Sequence, residues 1–94
     1  MNKTTQAVCI ELGRTLATPG AMKRTTPMER QVALLRHRQG DWGDVGTKDW
    51  QSNDWACRND ARLLSAYHTI DGTKFWIITE ADRSATTILL PGEY

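Results

Sequence analysis

Apolar and polar residues alternate most clearly in the last third of the chain. Leu63 to Ile70, Thr73 to Glu80 and Ala85 to Pro91 are three β-rich runs separated by turn residues. Asp71-Gly72 between the first two predicts a hairpin. Read as a two-residue type I′ turn, it sets Ile70 against Thr73, His68 against Phe75, Tyr67 against Trp76, Ala66 against Ile77 and Ser65 against Ile78. One face then carries Leu64, Ala66, His68, Ile70, Phe75, Ile77 and Thr79, the better candidate for a helix-covered core. The other carries Ser65, Tyr67, Thr69, Lys74, Trp76, Ile78 and Glu80. A Tyr67–Trp76 pair there either stabilises the sheet by about 0.2–1 kcal/mol or forms an aromatic patch for a partner. If the Tyr67–Trp76–Ile78 face is uncovered, a homodimer through it is expected.

Upstream, Gln6 to Leu12 alternates as a first strand, with Val8, Ile10 and Leu12 on one side, and Gly13 ends it. Joining the edge of the three later strands would protect that edge. Thr18-Pro19 can open a short helical turn, which Gly20 weakens. Thr26-Pro27-Met28-Glu29 is a stronger start, with Thr26 as cap and Glu29 completing a capping box. Met28, Val32 and Leu35, widened by Leu34, recur at helical spacing as the apolar stripe, and Gly40 stops the helix. Arg30, Arg36, His37 and Arg38 take the other face. They are either solvated, with cations favoured near the helix C-terminus, or a phosphate- or acid-binding cluster.

Gly40 to Gly46 is a loop by composition. Asp41, Asp44 and Asp49 do not follow the alternating acidic pattern of a calcium loop, so Asx-turns and capping are expected rather than a metal site. Trp42 is expected to plug into the core. Thr47 is a plausible cap for a third helix reaching about Arg62, with Trp50, Cys57, Ala61 and Leu64 at helical spacing. Trp50 and Trp55 do not fit one narrow face, so one of them is a candidate exposed anchor of the kind found at interface hot spots. The alternative is that both are core.

These elements predict one α+β domain over residues 1–94, with residues 1–5 outside its ordered part: an N-terminal strand, two or three helices, then a three-stranded antiparallel β-meander with helices on one face. The apolar share of 39% and charged share of 24% suit an ordinary globular chain. A formal charge of +1 supports neither a nucleic-acid partner nor a DNA mimic. No apolar run approaches the ~20 residues that span a bilayer, and no secretory leader is visible, so a cytoplasmic protein with no membrane partner is expected. Cys9 and Cys57 are then free thiols rather than a disulfide.

Catalytic groupings are sparse. The histidines are His37 and His68, and neither cysteine is expected on a sharp loop beside one. No phosphate-binding Gly-rich motif or metal-binding spacing occurs, and no cofactor is implied. Glu80-Ala81-Asp82-Arg83-Ser84 is the densest chemical stretch. With His68, the residues Glu80 and Arg83 could serve a metal-independent nuclease, while the plainer reading is a β-turn held by Asp82 and Arg83.

The order Leu12-Gly13, Ala17-Thr18-Pro19-Gly20-Ala21, Gly40-Asp41-Trp42-Gly43-Asp44, Asn53-Asp54, Leu64-Ser65-Ala66-Tyr67, Asp71-Gly72 and Trp76 to Pro91 resembles a family of small bacterial proteins of plasmids and other mobile elements. They are labelled plasmid-related proteins, some as a type I restriction subunit. The restriction label does not carry over, because a methyltransferase needs a far larger cofactor-binding domain. The resemblance implies a mobile-element accessory protein and supplies no catalytic residue; Trp50 and Trp55 beside Asn53-Asp54 depart from the pattern. The first expectation is a non-enzymatic protein-interaction module acting on host defence or replication, using Trp50, Trp55, Tyr67 and Trp76 toward an unidentified protein. The second is a nucleic-acid module using Arg30, Arg36 and Arg38, with Lys23 and Arg24 as further candidate contacts. The third is the nuclease.

Overall fold

The structure, a computed structural model, describes residues 10–94. From Gly13 the chain enters β1 (Arg14–Ala17), then α1 (Pro19–Arg24), α2 (Pro27–Arg38), α3 (Thr47–Arg58), β2 (Leu63–His68), β3 (Lys74–Thr79) and β4 (Ala85–Leu89). A 3-10 turn, Pro91–Glu93, follows. The α+β class stands, but the sheet is four-stranded and mixed, in the order β1-β4-β3-β2. β2–β3 and β3–β4 pair antiparallel, whereas β1 pairs parallel with β4, Arg14 beside Ala85 and Ala17 beside Ile88.

The expected strand Gln6 to Leu12 is corrected where it can be seen, Gln6 to Cys9 and the expected disordered lead lying outside the described residues. Ile10 and Leu12 lack strand pairing because their backbone is engaged elsewhere. The Ile10 N–H donates to the Arg38 carbonyl at 3.1 Å, and the Leu12 carbonyl accepts from the Thr86 hydroxyl at 2.7 Å. The strand proper starts only after Gly13, where the Arg14 N–H meets the Ser84 carbonyl at 3.0 Å.

Both early helices open as their caps require. The Thr18 hydroxyl accepts from the Ala21 N–H and Pro19 takes the first position. Thr26 and Glu29 form the complete capping box of α2. At the other end the Asp41 and Gly40 N–H groups bond back to Arg36 and His37 carbonyls, a Schellman closure. α3 begins one residue earlier than expected, with Gly46 rather than Thr47 as its cap, and ends at Arg58 rather than Arg62. Asp60 takes a left-handed φ of 51°, letting the Ala61 N–H reach back to the Ala56 carbonyl at 3.1 Å, so the helix closes one turn early.

The hairpin register is one residue away from the two-residue reading. Tyr67 lies opposite Phe75, Ala66 opposite Trp76 and Ser65 opposite Ile77. Thr69 and Thr73 close a three-residue loop, Ile70-Asp71-Gly72: the Gly72 N–H bonds to the Thr69 carbonyl at 3.0 Å, and Gly72 takes φ 88°. The Asp71 carboxylate selects this turn by accepting from the hydroxyls of Thr69 and Thr73 and from the Thr73 N–H. The slip regroups the faces. The helix-covered face holds Leu63, Ser65, Tyr67, Phe75, Ile77 and Thr79, so Tyr67 and Trp76 lie on opposite sides and the expected pair does not form.

Two core clusters result. Ala21, Ala33, Tyr67, Phe75, Ile77 and Ile88 join α1 and α2 to the sheet, and Ile10, Trp42, Ala56 and Leu63 form the second beneath α3. Trp42 is fully buried, as the loop reading expected, and its indole N–H donates to Asp54 at 2.9 Å. Next to it the loop adds a parallel bridge, Gly43 to Ala66, along the outer edge of β2. Only glycine fits: φ is 76° and a Cβ would lie 2.0 Å from the Ala66 carbonyl oxygen. No helix among the described residues is long and apolar enough to cross a membrane.

Candidate interaction surfaces

α2 meets the sheet through small and polar residues. Ala33 and His37 are its buried members, and Ala33 packs with Ala21, Tyr67, Phe75 and Ile77 in the first core cluster. His37 is fully buried, which corrects its expected place on a solvated basic face. Its Nδ1 lies 2.6 Å from the Ser65 hydroxyl and its Nε2 2.8 Å from that of Thr79. Thr79 continues to Thr86 at 2.8 Å, and Thr86 to the Leu12 carbonyl. Burial pushes the imidazole down to about 4, and the Arg83 charge adds to the effect. A neutral ring with both nitrogens hydrogen-bonded fits that chain of hydroxyls. No buried side-chain polar atom is left without a partner among the described residues.

The expected apolar stripe of α2 therefore faces outward. Met28 is 69% exposed, Val32 48% and Leu35 52%. These three form a crest with a groove on each side. One groove, about 350 Å³, is lined by Leu12, Leu34 and the crest, with Gln31 and Arg38 its polar members. The other, about 190 Å³, reaches Tyr67, Phe75 and His68.

The three arginines expected to read nucleic acid are dispersed. The Arg36 guanidinium bonds both oxygens of Asp41, at 2.7 and 3.2 Å, and sits 4.8 Å from the Tyr67 ring centre. That pairing holds the Asp41 carboxyl below the usual carboxylate range. Arg30 donates to the carbonyl and hydroxyl of Thr25, both at 2.9 Å. Arg38 is exposed and has no ion pair among the described residues.

α3 lies along the outer edge of β2 and is keyed by another buried polar residue, Asn53. Its amide donates to the Leu64 carbonyl at 2.8 Å and accepts from the Leu64 N–H at 3.2 Å, replacing a missing strand neighbour. Trp50 is half-buried against the second cluster, whereas Trp55 is 59% exposed. A groove of about 440 Å³ joins Trp55 to Arg62 through Ser52, Ala56 and Ala61. The Arg62 guanidinium lies 5.2 Å from the Tyr94 ring centre and donates to its hydroxyl at 2.5 Å. Tyr94 stands edge-on to Trp76, centroids 5.9 Å apart. Of the four expected partner-binding residues, Trp55 and Trp76 thus share one aromatic band, Trp50 is largely packed inward and Tyr67 is core at 3% exposure. Tyr94 and Arg62 were missed. Arginine beside a β-rich run was the available signal for Arg62, and nothing local marked Tyr94.

His68, Glu80 and Arg83 are not brought together. His68 ends β2 beside Asp44, its Nε2 3.6 Å from that carboxylate, while Glu80 follows the far end of β3 and pairs with Arg62 at 3.7 Å. Arg83, at φ 62°, gives its guanidinium to the carbonyls of Ala56, Glu80, Ala61 and Ala81 and so fastens the end of α3 to the β3–β4 turn. Asp82 bonds the Ser84 N–H at 3.0 Å, completing the turn that the plainer reading expected. Cys57 is half-buried and burial pushes its thiol up, away from the reactive thiolate; Cys9 lies outside the described residues. The chain matches no family model, no curated protein and no solved structure.

Proposed function

We propose that the chain is a non-enzymatic interaction module that meets a partner protein through the band Trp55–Arg62–Tyr94–Trp76. The observation that carries this reading is the exposure of Trp55 beside an arginine stacked on a tyrosine. Tryptophan, tyrosine and arginine are enriched among the few residues that dominate binding energy in protein interfaces, because each offers a large contact area and a polar tip. Glu80, paired with Arg62, adds a charged rim to an otherwise aromatic centre. The resemblance to plasmid-related proteins gives the reading its setting, an accessory factor of a mobile element acting by contact on host defence or replication in the cytoplasm.

The test is a photo-crosslinking residue at Ser52 in the host cell, with nuclease treatment before analysis. One discrete protein adduct that survives nuclease and disappears with Trp55→Ala or Arg62→Ala is the expected result. An adduct to nucleic acid, or a protein adduct indifferent to both substitutions, contradicts it.

A further inference from the structure

The two edges of the sheet are finished differently. Along the outer edge of β2 the Asn53 amide meets the Leu64 backbone, the Trp42 carbonyl accepts from the Ala66 N–H at 3.1 Å, and the Asp44 N–H donates to the Ala66 carbonyl at 2.7 Å. The outer edge of β1 pairs with no strand among the described residues. The Arg14 and Thr18 N–H groups face β4, where they meet the Ser84 and Ile88 carbonyls, both at 3.0 Å. The alternation of a parallel ladder therefore turns the N–H and C=O of Thr15 and Ala17 outward. No proline interrupts this row. Leu16 stands beside it on the sheet face away from the helices, 42% exposed.

We propose that the β1 edge is the contact between two copies of this chain, β1 pairing antiparallel with β1 of the second copy about a twofold axis at Leu16. This register sets Thr15 opposite Ala17 of the second copy, the two exchanging both backbone bonds, and symmetry repeats the exchange. Leu16 meets Leu16 across the axis, and both exposed side chains are covered. Arg14 falls opposite Thr18, the residue whose hydroxyl donates to the Glu93 carboxylate. Arg14 has no ion pair among the described residues, and Glu93 is exposed. An arginine and a carboxylate are thus set side by side at each end of the paired strands.

Those complementary ends select the occupant. A helix bonds its backbone groups internally and cannot answer the outward row. The chain's own leading residues set off in another direction. The Leu12 carbonyl reaches Thr86 on β4, and Ile10 is buried with Trp42, Ala56 and Leu63, so the backbone before Gly13 runs inward beneath the helices rather than along the edge. A foreign strand answers the backbone row, whereas a second copy also brings an acid to Arg14 and takes an arginine to Glu93. β1 is four residues long, which places the dimer among weak contacts burying less than about 1,200 Å².

The test is sedimentation velocity on the full chain at rising concentration, joined to disulfide trapping. In a background of Cys9→Ser and Cys57→Ser, Leu16→Cys should oxidise to a covalent dimer. Facing residues that exchange no backbone bonds have Cα atoms about 4.5 Å apart, within the roughly 4.4–6.8 Å that a disulfide spans. Arg14→Cys should not, because it faces Thr18 rather than its own counterpart. Thr15→Pro removes an outward N–H without touching the β4 ladder and is expected to abolish the concentration-dependent dimer. Arg14→Glu should weaken association about five-fold, the upper range for one exposed ion pair, and Glu93→Lys added to it should restore it. Circular dichroism reads the folding of each variant; should Glu93→Lys loosen α1, the cysteine pair still decides the register. A monomeric mass at every concentration, trapping as efficient at position 14 as at 16, or a dimer indifferent to Thr15→Pro would overturn the proposal. So would a dimer lost on Leu35→Glu, which puts the contact on the α2 crest. A dimer that forms only after removal of residues 2–9 shows the edge already taken by the leading segment and overturns it too. Trp55→Ala leaves the dimer unchanged, so this contact and the aromatic band stand or fall separately.

Discussion

α2 and α3 are both twelve-residue helices with a basic last turn, yet they meet the sheet in different ways. α2 lies over the inner sheet face and turns its largest apolar residues outward, whereas α3 runs along the outer edge of β2 and buries most of Trp50. The contrast shows that the surface opposite each helix chooses its inward face. Ser65, Thr79 and Thr86 make the inner face polar in one patch, and His37 answers the hydroxyls of Ser65 and Thr79, the latter passing on to Thr86. The free edge of β2 exposes a backbone N–H and carbonyl at Leu64, and Asn53 answers those. Each helix is thus positioned by one buried polar residue. With α2 turned so that His37 points inward, the Met28–Val32–Leu35 stripe is left outside, and α3 likewise leaves Trp55 outside.

Acid sharpens the contrast most. His37 has a folded-state value near 4 against an ordinary value of 6.5. The unfolded chain therefore binds a proton before the folded one does. The contribution is fully present above pH 6.5 and falls as pH drops from 6.5 toward 4, by about 3 kcal/mol in all. Urea unfolding across that window should show the loss for the native chain and a markedly flatter profile for His37→Gln. Asn53→Leu leaves the Leu64 backbone pair unanswered at the β2 edge, and about 2 kcal/mol is expected to disappear from the unfolding free energy. Hydrogen exchange at the Leu64 amide should accelerate while exchange in α2 stays as before. Trp55→Ser is expected to change stability by about 0.5 kcal/mol or less. A larger loss would show that the ring is core and would remove the aromatic band as a surface.

What the sequence made legible was mostly local. Thr18-Pro19, the Thr26–Glu29 box and the Gly40 stop depend on residues within one turn of each other, and each element begins or ends where those residues require. Asp71-Gly72 located the hairpin correctly, but the register depended on how Asp71 engages Thr69 and Thr73, which the dipeptide alone does not reveal. β1 was misplaced because its partner is β4, some seventy positions away in the chain, and parallel pairing leaves no local turn signal. The stripe of α2 was found and assigned to the wrong side. Helical spacing identifies a stripe, but only the hydroxyl row of Ser65, Thr79 and Thr86 tells which side is buried, and those residues come from three strands. The aromatic band was half legible: Trp55 and Trp76 are conspicuous, whereas Tyr94 reaches Trp76 only through the tertiary fold.

The most direct test of the account is a paired urea-unfolding measurement at pH 7 on His37→Leu and Leu35→Gln. With two inward hydroxyls left partly unanswered, His37→Leu should be destabilised by about 3 kcal/mol. Leu35→Gln, on the outward crest, should stay within about 0.5 kcal/mol of the native chain. The reverse order, with Leu35 costly and His37 dispensable, would place the apolar stripe inside and contradict both the polar positioning of α2 and the groove built on its outer face.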